Sequence, residues 1–226
     1  MKILLLMNEN AYAGREYASQ MIKSNIVFDI ATVGDHPKFD SSEDIRCGGL
    51  WNPPIIDNDL LNIKINNFSS LNSNFLIDFL SKNKFDIGIQ GGTGILKKNV
   101  INKFKYGVLN FHPGDLPDYQ GCSAPEWQIY ENKNVISTCH FIDQGIDSGP
   151  ILDKCLLNVS LNNYFEFRAS IYPQTSIFVV NTIKKFLNDR NFLDSYKLQK
   201  KENFNYRKYI GKERIEELKI KFLKQE

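Results

Sequence analysis

Cysteine, clustered basic charge and long apolar runs are all scarce in this sequence, and each scarcity excludes something. The four cysteines, Cys47, Cys122, Cys139 and Cys155, form no CxxC and show no ligand-like spacing. That sets aside a disulfide framework and a zinc finger, and leaves the free thiols of a reducing compartment. The first apolar run, Ile3–Met7, is too brief for a signal-peptide core and passes directly into Asn8-Glu9-Asn10. No stretch approaches the ~20 apolar residues needed to cross a bilayer. These features predict a cytoplasmic chain with no membrane association. The formal net charge is only +2, and the lysines are dispersed, densest near the C-terminus. A nucleic-acid partner would call for a clustered basic face instead. The glycine fingerprints are missing too. The turn after the first run reads NENAYAG, neither GxGxxG nor a phosphate loop, so neither a dinucleotide nor a nucleoside triphosphate is expected there.

What remains is ordinary globular composition, 42% hydrophobic and 24% charged over 226 residues. That is enough for one well-filled α/β domain plus an appendage. Continuous apolar runs at Lys2–Met7 and Val27–Val33 flank a helical pattern over Arg15–Lys23, the opening of a doubly wound sheet. Residues Gly34 to Asp59, with Gly48-Gly49 and Pro53-Pro54, make a connection long enough to be a functional loop. Asn62–Asn74 reads as solvated surface. A helix is predicted over Phe75–Lys82, then a strand over Phe85–Gln90. The run Gly91-Gly92-Thr93-Gly94-Ile95-Leu96 follows, and its glycines suit either a close backbone approach to a ligand or a tight strand-to-helix turn. Further on come a helix over Ser123–Tyr130, strands over Val135–Ile142 and Ile151–Leu157, and a long helix over Asn162–Leu187 interrupted or kinked at Pro173. The segment from Phe192 onward reads as an appendage, with Lys212–Leu223 an exposed helix. The fold class is therefore α/β, a Rossmann-like and mostly parallel twisted sheet with helices on both faces and a short C-terminal appendage. The catalytic domain is placed at 1–190 and the tail at 191–226.

The chain is organised around GVLNFHPGDLPD, Gly107–Asp118. Val108-Leu109 ends a buried strand, and strand alternation points Asn110 and His112 to one face. Pro113-Gly114 then stops the strand. The carboxyl end of a central strand is where open α/β sheets place their chemistry. The polar loop Asp143–Pro150 supplies Asp147. An amide, an imidazole and a carboxylate suffice for acyl transfer to an amine. Asn110 and a protonated His112 would donate to the developing oxyanion, and Asp147 would take the amine's proton, directly or through water. Cys122 and Ser123 lack a nucleophile elbow, so direct transfer fits better than a covalent intermediate. Two other readings stay open: a satisfied core histidine at His140, and a two-histidine–carboxylate metal site of His112, Asp115 and His140 for a hydrolase.

These residues resemble the 10-formyltetrahydrofolate-dependent formyltransferases. The similarity is carried by LNFHPGDLPDYQG (Leu109–Gly121), TCHFIDQGIDSGPIL (Thr138–Leu152) and IYP (Ile171–Pro173), and it covers about Phe85–Leu187. The resemblance implies a catalytic set of Asn110, His112 and Asp147. It implies a folate ring held largely by the backbone, with Gly91, Gly94, Ile95, Leu96, Ile142 and Asp143 as cofactor-binding residues and no metal. Among the family's branches, HPGDLP is most similar to the sugar-nucleotide N-formyltransferases. These act on nucleotide-linked amino-deoxysugars such as dTDP-amino sugars for lipopolysaccharide O-antigen. Glycinamide ribonucleotide is the alternative acceptor, disfavoured by Asn8–Tyr12 where a phosphate loop would stand. The chain ends too soon for the β-barrel domain of methionyl-tRNA formyltransferases. Expected partners are folate and a sugar nucleotide, without nucleic acid or membrane, in a homodimer. Tyr12, Trp51, Phe204, Tyr206 and Tyr209 are offered as surfaces for the nucleotide base or for the dimer partner.

Overall fold

The computed structural model describes residues 1–9, 11–33, 47–52, 54, 63–200, 202 and 204–223. Most of the connection expected to be a functional loop, Gly34 to Asp59, lies outside them. The elements run β1 (Ile3–Asn8), α1 (Tyr12–Lys23), β2 (Asp29–Val33), β3 (Ile65–Phe68), α2 (Asn74–Asn83) and β4 (Ile87–Gln90). They continue with α3 (Lys98–Ile101), β5 (Val108–His112), β6 (Gln120–Gly121), α4 (Ala124–Tyr130), β7 (Ile136–Phe141) and β8 (Ile151–Leu156). Last come α5 (Tyr164–Asn188), a 3₁₀ turn at Arg190–Ser195, β9 (Tyr206–Arg207) and α6 (Lys212–Leu223).

Seven strands form one sheet in the order β3-β2-β1-β4-β5-β7-β8. The first five are parallel, β7 runs antiparallel to β5, and β8 runs antiparallel to β7. Strand alternation in β1 builds both faces of the core. Ile3, Leu5 and Met7 pack with α1 and α5 residues such as Met21, Phe178 and Ile183. Leu4 and Leu6 pack on the other side with Leu76, Leu80, Phe85 and Val100. This is the mostly parallel, helix-covered sheet the sequence predicts, with strand order reversing direction between β1 and β4, where such sheets open a crevice.

Three details depart from expectation. Within Asn62–Asn74, read as surface, Ile65–Phe68 forms an edge strand on β2, because one-sided ladder pairing outweighs the poor strand propensity of Asn66 and Asn67. Helix α5 runs unbroken past Pro173. Its start is fixed by Asn163, whose side-chain oxygen accepts from the Glu166 N–H at 2.9 Å and whose side-chain NH₂ donates to the Glu166 carboxylate at 3.0 Å. Helix α6, read as exposed, buries Leu218 and Phe222 against Phe167, Tyr164 and Ile171. Ile215, Leu218 and Phe222 recur at i, i+3 and i+7 on this charge-rich helix, and that spacing is the signal for the docking.

Candidate active site

Strand β5 carries both Asn110 and His112, and β4 and β7 flank it with Gln90 and His140 opposite Asn110 in the two registers. The His112 ring is buried, with Nε2 2.7 Å from the Tyr119 carbonyl oxygen, so Nε2 carries the hydrogen and donates it. Nδ1 then faces Asp147 Oδ2 at 3.6 Å. Gly114 makes this contact possible. A β-carbon there would sit 2.5 Å from His112 Nε2 and 2.6 Å from the Tyr119 carbonyl, so any other residue would force the pair apart.

Asn110 is oriented by a histidine that sequence reasoning left as core. His140 Nδ1 lies 2.9 Å from the Phe141 carbonyl oxygen and donates to it. Its Nε2 is left as an acceptor, 3.1 Å from Asn110 Nδ2. The Asn110 amide therefore presents its nitrogen toward His140 and toward Asp147 Oδ1, the latter at a long 3.5 Å. Asp147 also receives the Gly121 N–H on Oδ2 at 2.9 Å.

The electrostatics correct one expectation. Burial pushes His112 below its usual range, and the nearby Asp147 charge only partly offsets this. His112 therefore rests neutral rather than protonated. For Asp147 burial acts upward, but His140 and His112 when they carry a proton, together with the Gly121 N–H, outweigh it and hold the carboxyl below its ordinary range. The result is an ionised carboxylate beside a neutral imidazole.

Cavities of about 320 Å³ each open on two sides of this cluster and share Asn110, Gly121 and Asp147. One is walled by Gly94, Ile95, Leu96, Ile142 and Asp143, with Ile146 and Tyr206. The other extends past His112 to Tyr17, Tyr172 and Thr175. Of the residues expected to bind a cofactor, Gly91 alone is not on a wall. It is buried against α1, and a β-carbon there would sit 2.7 Å from the Gly14 α-carbon, so helix–strand packing demands the glycine. Gly92, in left-handed backbone, takes the place at the cavity.

The aromatic candidates divide. Trp51 stacks on Tyr172 with centroids 5.0 Å apart, Tyr12 meets both edge-on, and the Trp51 indole N–H donates to Glu16 at 3.2 Å. Tyr206 borders the first cavity, while Tyr209 and Phe204 line other surfaces. Asp115 pairs with Lys154 instead of joining the two histidines. Among the described residues no group of three or more His, Cys, Asp or Glu side chains could hold a metal ion. Cys122, Cys139 and Cys155 are free thiols, and no helix among those residues is long and apolar enough to cross a membrane. The residues missed from sequence, His140, Gln120 and Gln199, act through strand register and long-range bonds. For His140 the signal was available, since an antiparallel neighbour of β5 sets a residue directly opposite Asn110.

Residues 62–164 match the family model described as "Formyl transferase". A methionyl-tRNA formyltransferase of Rickettsia rickettsii (strain Iowa) is 35% identical over 88 residues, 38% of this chain and 29% of that protein. The chain thus spans under a third of the curated relatives' length. Among solved structures, a sugar N-formyltransferase from Shewanella sp. is similar over 99% of this chain and 88% of its own, at TM-score 0.60 and 16% identity. An N-formyltransferase from Helicobacter canadensis, in complex with folinic acid and dTDP-3-aminofucose, is similar over 92% and 71% at TM-score 0.61 and 18% identity. A phosphoribosylglycinamide formyltransferase from Streptococcus pneumoniae is similar over 82% and 98% at TM-score 0.59 and 16% identity. The strand-end cluster lies inside the matched stretch and the sheet is shared with these structures, so residues 62–164 are similar to the formyl transferase family and the chain has the fold of these enzymes.

Proposed function

We propose that this protein transfers a formyl group from 10-formyltetrahydrofolate to the amine of a nucleotide-linked amino-deoxysugar. One observation carries the reading: two cavities meet over Asn110 and Asp147, as a direct transfer between two substrates requires. Apolar Ile95, Leu96, Ile142 and Ile146 around the first cavity suit a flat pterin ring, with backbone groups free to meet its polar edge. The second cavity, beside His112 and Tyr172, is left for the acceptor.

The chemistry follows from the geometry. The acceptor nitrogen attacks the formyl carbon, and the carbonyl electron pair moves onto oxygen, where the Asn110 N–H stabilises it. The long bond from Asn110 to Asp147 can be given up without leaving either group bare. The neutral His112 accepts the proton from the attacking nitrogen at Nδ1, and the Asp147 carboxylate 3.6 Å away stabilises the imidazolium. As the oxyanion collapses, the bond to the folate nitrogen breaks and His112 returns the proton to that nitrogen. Asn110, His112 and Asp147 are thus the catalytic residues of this reading.

Support for a sugar nucleotide over glycinamide ribonucleotide is twofold. The likeness to the Shewanella enzyme extends over 99% of this chain, tail included, and the turn after β1 offers Asn8-Glu9 rather than a glycine- and serine-rich phosphate loop. The test is formyl transfer to a panel of dTDP-3-amino and dTDP-4-amino sugars, glycinamide ribonucleotide and initiator methionyl-tRNA. Turnover on an amino sugar alone is expected. Preferential turnover of glycinamide ribonucleotide or methionyl-tRNA would overturn the acceptor assignment, and silence with every acceptor would overturn the activity.

A further inference from the structure

We infer that the C-terminal segment completes this site, with Gln199 as a positioning residue that holds Asp147 by its backbone. The inference rests on the reading of Asp147 as catalytic. Asp147 sits in left-handed backbone, φ 51°, which aspartate tolerates better than most side chains but which bonds to its peptide are needed to select. The bonds within its own loop do not do so. The Gly145 N–H and the Ser148 hydroxyl both go to Asp143 and leave the Asp147 peptide untouched.

The holding groups come from elsewhere. Gln199 Nε2 donates to the Asp147 carbonyl at 2.9 Å and to the Gly149 carbonyl at 2.7 Å, spanning Ser148 like a staple. Gln120 Nε2 gives the Asp147 carbonyl a second donor at 3.2 Å. Facing two carbonyl oxygens fixes the Gln199 amide so that its own buried Oε1 has no partner among the described residues. A residue that served packing alone would have no reason to bear that orphan oxygen. The chain reaches this point through paired main-chain bonds between Lys197 and Ile151.

Just beyond, the same segment fixes the other end of Asp147. β9 pairs in parallel with β6, and the N–H groups of Gln120 and Cys122 turn toward Asn205 and Arg207. The intervening Gly121 N–H is thereby turned the opposite way, onto the Asp147 carboxylate. Gly121 has φ 91°, and a β-carbon there would lie 2.5 Å from the Arg207 carbonyl, so the close strand contact depends on it. Arg207 is itself anchored by Glu131 at 2.8 Å and lies over the Tyr119 and Trp127 rings. Carboxylate and carbonyl of one residue are thus set by β9 and by Gln199 respectively.

The test is Gln199→Met, which keeps length and loses both donors. Amide hydrogen exchange across 143–149 should quicken at least tenfold. The kcat should fall ten- to hundredfold with little change in either KM, and the acid limb of the pH–rate profile, which follows the neutral His112 base, should shift downward as the Asp147 carboxylate loses its alignment with His112. In an Asp147→Asn background the same substitution should add no further loss. Unchanged loop exchange with unchanged kcat and pH profile overturns the inference, as does a loss fully additive with Asp147→Asn. Should Asp147→Asn itself stay active, the catalytic reading falls while the exchange result still decides whether Gln199 holds the loop. If Gln199→Met does not fold, Gln199→Asn, one methylene too short to reach, is measured in its place.

Discussion

Replacing Asp147 by asparagine separates the charge of this side chain from its shape, and the site allows the consequence to be worked out. After Asp147→Asn the side-chain oxygen can still accept the Gly121 N–H, but that bond changes from charge-assisted to neutral, a loss of about 1 kcal/mol. The new NH₂ group then stands where Oδ1 lay, 3.5 Å from the Asn110 amide nitrogen, a donor facing a donor. Folding should therefore weaken by only about 1–2 kcal/mol. Turnover should suffer far more. At 3.6 Å from His112 Nδ1, and at an effective dielectric of about 20, the carboxylate stabilises an imidazolium by about 4–5 kcal/mol. If that charge exists only along the reaction path, removing its partner costs about 10³-fold in rate. The assay is the absorbance change on deformylation of a 10-formyl folate analogue with saturating acceptor, run beside urea unfolding. A kcat within tenfold of the wild type, in protein of nearly unchanged stability, would refute the claim that His112 becomes charged beside Asp147.

The same burial that keeps His112 neutral couples it to stability. In the unfolded chain its pKa is about 6.5, above the lowered folded value. The contribution is therefore complete above about pH 6.5 and is lost as pH falls toward the folded value, with a slope approaching 1.4 kcal/mol per pH unit. His112→Gln should flatten urea-derived stability between about pH 6.5 and 5, where Asp147 stays ionised in both states; an unaltered slope would contradict the assignment. Beneath α4, Glu126 and Arg168 form an ion pair at 3.2 Å with both side chains 6% exposed. Glu126→Ala should cost about 3–5 kcal/mol by stranding the guanidinium, and replacing both partners with Met and Leu should recover most of it; a loss below about 1 kcal/mol for the single change would show the pair to be solvated.

How much of this was legible in the sequence depended on how far each interaction reaches along the chain. β5 could be read because its whole logic is local: an apolar run, two polar residues on one face, and Pro113-Gly114 to stop it. β1 and the helices α2 and α5 were equally plain. β3 was not, since INNF has no strand character until β2 pairs with it. The two-residue strands β6 and β9 leave no periodicity at all, and they exist only because chain segments far apart in sequence meet. Gly91 shows how composition misleads in the other direction. Three glycines in four positions mark a close approach, but for the first of them the approaching group is Gly14 of α1 rather than a ligand.

The tail carries the same lesson into the site. Its charge and its exposed tyrosines invited a reading as something appended, because nothing local in residues 197–207 announces a bond to residue 147. Yet Gln199 donates across 52 positions in sequence, and the β9 ladder turns the Gly121 N–H onto the carboxylate. The motif around Asn110 and His112 sets two candidate groups on one strand, where His140 and the Tyr119 carbonyl orient them. Asp147 stands instead on a loop, in a backbone conformation that loop does not secure by itself. A carboxylate placed this way is aligned by donors brought from outside its loop: beside the long bond from Asn110, Gln120 and the Gly121 N–H lie on a strand whose ladder partner is β9, and Gln199 comes from the tail itself.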